Sequence, residues 1–234
     1  MKQKGTAKSE ETRQRILEAA LELFRERGFA ETTMRDIAAS AGMATGAAYY
    51  YFPSKEALVH AFYVQSQSEM EQVTRRPLAG SRDLKERLRA IIELKFEQFL
   101  PYRPMLGALF RTAADPASPM SPFGDETKEI REAAVALFRE AVEGSDAKIH
   151  RDLEPHLPRL LWMYQMGLIL FWIHDRSPDQ AKTKRLVDRS LDIVVLAIRL
   201  ARYRALAPLR QSVLALLEDL SLVDGTASAG ERAR

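Results

Sequence analysis

Three residues, Gly42-Met43-Ala44, separate one helical pattern from the next, and this spacing limits the fold of the 234-residue chain more than any other feature. Upstream, Thr33-Met-Arg-Asp36 has the form of a capping box, and Met34, Ile37, Ala38 and Ala41 fall on one side of a short helix. Downstream, Thr45 to Tyr51 make a helix of about two turns. A connection this short, with a glycine free to take positive φ, forces the two helices to cross sharply. The stretch reads as a helix-turn-helix.

The flanking sequence supplies partners for that pair. Ser9 is placed to cap a first helix whose opening turn carries Glu10 and Glu11. Its apolar side is Ile16, Leu17, Ala20, Leu21, Leu23 and Phe24, and Gly28 is its stop. Phe52-Pro53 breaks the third helix, and Ser54 caps a fourth that begins with Lys55 and closes the unit near residue 75. Beyond Pro77 no alternating Val/Thr-rich segment suggests a strand, so the fold class is all-α. A fifth helix is predicted from about Asp83 to Leu100, a sixth over Arg103 to Ala113, and a seventh over Glu126 to Val142. An eighth starts at Pro155 to Pro158 and runs to about Asp175. Ser177-Pro178-Asp179-Gln180 combines a capping box with a first-turn proline, opening a ninth that reaches about Arg204. The segment 115–125 (DPASPMSPFGD) is expected to be a loop. An amphipathic segment, Leu206 to Leu220, precedes a polar tail, 221–234, expected to be disordered.

Composition narrows the function classes. With 46% hydrophobic residues the chain can bury a core, and with no cysteine it can form neither disulfide nor thiolate metal site. The charged N-terminus lacks the apolar core of a signal peptide, and the most apolar stretch, Leu160 to Ile173, falls short of the roughly 20 residues a bilayer requires. The expectation is a cytoplasmic protein without membrane contact. His60, His150, His156 and His174 are scattered, and no Glu-x-x-His pair or Gly-rich phosphate loop occurs. No catalytic residue, metal ligand or cofactor is therefore assigned. Net charge is only +3, so a case for nucleic acid must rest on geometry.

That geometry lies in Tyr49, Tyr50, Tyr51 and Phe52. Four consecutive rings on a helix cover every face, so at least one looks away from the core. The leading residues Thr45, Gly46, Ala47 and Ala48 are too small to anchor a core and let a helix end approach a surface closely. Tyrosine joins an apolar body to a hydroxyl that can reach a phosphate, and Lys55 at a helix N-terminus opposes the dipole unless an anion is near. Here TTMRDIAASAGMATGAAYYYFPSKEAL, preceded by ILEAALELFRERGF, resembles the DNA-binding domain of the TetR family of bacterial transcription regulators over about residues 10–65. The resemblance implies double-stranded operator DNA as partner. It assigns phosphate contacts to Thr33, Tyr49 and Lys55, and groove-facing positions to Thr45, Ala47 and Tyr50, with Gly46 on the same helix. One departure is Ala44, which stands where the family has a serine cap.

The larger half has its own pattern. Helix eight is apolar on every face and helix nine on more than one, so a single chain with about six helices there lacks cover for both. A homodimer through helices eight and nine, with Gly167 permitting close approach, is expected, and the family's usual dimer agrees. Phe96, Phe99, Tyr102, Phe110, Trp162 and Met166 are candidate ligand-binding residues. The resemblance implies a small-molecule effector, apolar or aromatic, whose identity the sequence does not give. The domains so read are 1–54 for DNA and 55–220 for effector and dimer. The rival reading is a DNA-binding dimer without effector control.

Overall fold

The computed structural model describes residues 2–113, 118 and 120–219, and among these the secondary structure is helical with no strand. The expected disordered tail, 221–234, lies outside the described residues, as does part of the 115–125 loop. In chain order the helices are α1 (Lys2–Arg27), α2 (Met34–Ser40), α3 (Thr45–Tyr51), α4 (Lys55–Gly80) and α5 (Leu84–Phe99). They continue with α6 (Arg103–Ala113), α7 (Lys128–Glu143), α8 (Leu157–His174), α9 (Ala181–Leu200) and α10 (Ala207–Asp219). Two compact units result, one of Met1–Val73, Glu93–Ala134 and Ile169–Asp175, the other of Thr74–Ile92, Val135–Leu168 and Arg176–Arg234.

In the first unit, α2 packs on α1 and α3. The apolar stripe of α1 (Ile16, Leu17, Ala20, Phe24) is buried together with Ile37, Ala38, Ala48 and Phe52. Gly42 takes φ +68 and Gly28 φ +87, so both stops use the left-handed region that glycine enters without strain. Buried Thr32 donates its hydroxyl to the Gly28 carbonyl at 2.8 Å, fixing the chain between α1 and α2.

In the second unit, Arg87 acts as a nail. Its guanidinium donates to the carbonyls of Leu78 and Ser81 beyond Pro77, and to those of Glu140 and Ala141 near the end of α7. A cation at two helix C-termini is favoured by both dipoles, and it serves carbonyls of the last turns, of which Glu140 also accepts from the Gly144 N–H at 3.0 Å. Helix α9 is held on its charged flank by pairs of Lys85 with Asp192, Arg89 with Asp188, and Arg199 with Asp83. Its buried stripe is Val187, Leu191, Val195 and Ile198.

Four boundary expectations change. Helix α1 begins at Lys2, so Ser9 lies inside it and caps nothing, because no proline precedes Ser9 to stop the helix. Helix α4 runs to Gly80 through Pro77. The carbonyl that a proline there leaves unserved belongs to Val73, which is exposed and can take water instead. Ser177 does not make the expected capping box; Asp179 and Gln180 are left-handed, and α9 starts only at Ala181, where the Ser177 hydroxyl accepts from the Lys182 N–H. That helix also ends at Leu200 rather than near Arg204.

Candidate nucleic-acid interface

The turn between α2 and α3 is built from local hydrogen bonds. Thr33 caps α2: its Oγ1 accepts from the Asp36 N–H at 3.2 Å and donates to Asp36 Oδ2 at 2.6 Å, while the Thr33 N–H donates to the same carboxylate. The Thr33 hydroxyl and N–H hold the Asp36 carboxyl below the usual carboxylate range. The expected capping box is therefore present. Helix α3 starts at Thr45, and its N-cap residue, Ala44, offers no side-chain hydrogen bond, so the first N–H groups are without a side-chain acceptor.

The aromatic run splits as one helical turn requires. Ala48 and Phe52, four residues apart, are buried, and the Arg13 guanidinium lies 4.8 Å from the Phe52 ring centroid. Tyr50 is 82% exposed and Tyr49 49%, with Tyr51 edge-on to Tyr50. Gly46 and Ala47 are exposed too, and Thr45 half-buried, so α3 turns small residues and two tyrosines outward. A Cβ placed on Gly46 would meet nothing within 4 Å. Lys55 is half-buried at the start of α4; its Nζ donates to the Phe29 carbonyl at 2.6 Å and to Ala30 at 3.4 Å, above the Phe29 ring. An ammonium carries three donors, so it retains capacity for one further acceptor.

The ligand candidates are distributed over both units. In the first, Phe99 and Tyr102 both meet Phe62, with ring centroids 6.0 and 4.8 Å away, and Phe96 stacks on Trp172 at 5.3 Å. Phe110 is half-buried. In the second, Trp162 is buried and Met166 half-buried. Sequence reading missed Lys95, which is buried in the first unit against the Phe99 ring. Its Nζ donates to Ser66 Oγ and Gln98 Oε1 at 3.2 and 3.0 Å and sits 4.7 Å from the Phe99 ring centroid. Desolvation lowers its pKa to about 7, against a smaller opposing effect of Glu69. A signal existed: Lys95 follows Ile91 and Ile92 at helical spacing, on the apolar stripe of α5.

Among the described residues no group of His, Asp or Glu is placed to hold a metal, and no helix is long and apolar enough to cross a membrane.

A capped helix, a three-residue turn and a second helix that shows its small-residue face define a helix-turn-helix DNA-binding protein. Residues 16–62 match the family described as bacterial regulatory proteins, tetR family, and residues 87–213 match the tetracyclin repressor-like C-terminal domain. The chain belongs to the TetR family of transcription regulators. It is 38% identical over 88 residues to the HTH-type transcriptional regulator UidR of Escherichia coli K12, a match covering 38% of this chain and 45% of that protein. The chain thus spans about half the length of that relative. SrpR of Pseudomonas putida is 41% identical over 71 residues, 30% of this chain and 33% of SrpR. A tetR-family regulator from Streptomyces coelicolor has the same fold, with TM-score 0.63 and 22% identity over 91% of this chain and 95% of that one. Thermus thermophilus FadR, a TetR family repressor solved in complex with lauroyl-CoA, gives TM-score 0.56 and 28% identity, covering 76% of this chain and 92% of FadR.

Proposed function

We propose that the chain is a homodimeric repressor that binds an operator through α3 and leaves it when a small apolar or aromatic effector binds the larger half, residues 55–220. The observation that carries the DNA part is the outward face of α3, where Gly46, Ala47, Tyr49 and Tyr50 are exposed. Thr45, Ala47 and Tyr50 face bases, Gly46 lets the backbone come close, and Thr33, Tyr49 and Lys55 meet phosphates. Titration of the protein on duplexes from its own genomic neighbourhood, against scrambled duplexes and at several salt concentrations, tests this reading. Equal affinity for both would end it.

Support for a dimer comes from apolar side chains without cover. Ile193 is 67% exposed on α9, beside exposed Leu196 and Leu200, and α8 exposes Leu170 and Phe171 along with Gly167. A Cβ on Gly167 would meet nothing within 4 Å, which leaves room for a second backbone. Support for an effector comes from the contacting rings of Phe62, Phe99 and Tyr102 with buried Lys95 against Phe99, and from FadR, whose structure holds lauroyl-CoA. Phe96, Phe99, Tyr102, Phe110, Trp162 and Met166 remain the residues proposed to meet it.

A further inference from the structure

Within the second unit, α8, α9 and α10 line a half-open cavity of ≈ 460 Å³. Ligand sites span roughly 300–1,000 Å³, so it is large enough for a small molecule. Its walls include Leu157 and Leu161 from α8, Val194 and Ile198 from α9, and Leu209 and Val213 from α10. Tyr164 also borders it, but the Tyr164 hydroxyl is paired with Ser190 at 2.6 Å. The charged residue in the wall is Arg210.

The state of that guanidinium is unusual for a buried cation. The Arg210 side chain is only 8% exposed. Nη1 donates to the Ala201 carbonyl at 2.7 Å, whereas Nε is buried and has no hydrogen-bond partner among the described residues. Asp152 Oδ2 stands 3.7 Å from Nε, an ion pair too long for a hydrogen bond. Asp152 is itself drawn toward His150 Nδ1 and Arg151 Nε, each at 3.4 Å. A buried donor without an acceptor is costly, and the planar fork of arginine matches the two oxygens of a carboxylate. An apolar wall with one underused guanidinium matches one chemistry: a long hydrocarbon ending in a carboxylate.

We propose that this cavity binds a fatty carboxylate, its chain between the α8 and α9 leucines, valine and isoleucine, and its headgroup on Arg210. Entry is along α10, where Leu209 and Val213 are exposed on the cavity's rim. The site lies apart in sequence from Phe96, Phe99, Tyr102 and Phe110, and the proposal stands without the effector reading given above. A neutral alcohol or a cationic amphiphile of equal chain length lacks the headgroup that Arg210 selects.

The test is calorimetric titration of the full chain, without DNA, with decanoate and with decyltrimethylammonium, in wild type, Arg210→Gln and Val213→Trp. Val213 is partly exposed, so a tryptophan there fills the cavity without disturbing a buried position. Sedimentation and circular dichroism accompany each variant. Saturable decanoate binding that weakens by at least about tenfold in Arg210→Gln, as loss of a charge-assisted hydrogen bond implies, and that also falls in Val213→Trp, with the cation bound far more weakly, is the expected result. Three outcomes overturn it. They are no decanoate binding by the wild type, binding unchanged in both variants, and equal binding of the cation. Absence of decanoate binding together with a Val213→Trp chain that no longer self-associates would assign the cavity to a second copy of the chain instead.

Discussion

Gly42 and Gly46 sit four residues apart and are glycine for different reasons. Gly42 is left-handed at φ +68, yet a Cβ there would meet nothing within 4 Å, so the whole penalty of a side chain is backbone strain. Gly42→Ala should lower stability by about 1 kcal/mol, read as a lower urea midpoint with an unchanged slope. Gly46 lies within α3 at an ordinary helical φ, and nothing in the free chain requires glycine. Gly46→Ala should therefore raise stability by up to about 1 kcal/mol through helix propensity, and weaken operator binding because the methyl stands on the face proposed to approach bases. A stabilised variant with wild-type operator affinity would remove Gly46 from the interface. Lys95 gives a pH prediction. Its folded pKa of about 7 lies below the 10.5 of an ordinary lysine, so between those values the unfolded chain binds more protons and this group makes stability rise with pH. Below about 7 both states are protonated and the burial penalty is full. The stability advantage of Lys95→Met over wild type should thus be greatest at pH 6 and shrink as pH rises toward 10. An advantage that is flat with pH would place the ammonium in water.

At the scale of elements, what was legible in the sequence was local. The α2 capping box and the α2–α3 turn rest on contacts three or four residues apart, which the order of residue types displays directly. The burial of Phe52 and the exposure of Tyr50 follow from helical period once α3 is placed, although which ring faces inward is decided by α1 and α2. The α4 boundary moved for reasons that lie in a distant residue and in solvent. Pro77 reads as a stop, yet α4 passes through it, and the carbonyls that follow are gathered by Arg87 of the next helix. The same long-range dependence hid Arg210, an ordinary basic residue by sequence that only the packing of α10 removes from water. Three tests belong here. Ala44→Ser should supply the cap that α3 lacks and add about 1 kcal/mol to unfolding free energy, and no gain would mean that the α3 N-terminus is already served. Arg87→Lys should cost several kcal/mol in chemical denaturation, since an ammonium cannot span four carbonyls on two helix ends as the guanidinium fork does. Gly144→Ala should destabilise for the same reason, because its Cβ would overlap the Arg87 guanidinium.

The whole molecule joins a surface for DNA to a helical half whose proposed roles are pairing and sensing. Two copies that place α3 in successive major grooves must hold those helices roughly 34–36 Å apart, one turn of B-DNA. Operator binding then measures the spacing, and anything that alters it acts as an antagonist of DNA without touching the interface. Helix α4 runs unbroken from Lys55, beside the DNA-binding helices, to Gly80, and carries Phe62 and Ser66, which meet Phe99, Tyr102 and Lys95. It is the element through which an effector among those rings would be felt at Lys55. An effector can shift the equilibrium only by the difference between its affinities for the DNA-competent and released states. Linkage makes the effect mutual: an effector that lowers operator affinity by some factor must be bound more weakly by that same factor when operator is present. Phe96→Trp should crowd the proposed effector site in the first unit, leaving operator affinity near wild type while blunting release by effector. The measurement is effector affinity with and without saturating operator duplex. Unequal values with a matching factor in both directions establish the coupling; equal values would leave the larger half as a dimerisation scaffold and return the chain to the simpler reading of an operator-binding dimer under no small-molecule control.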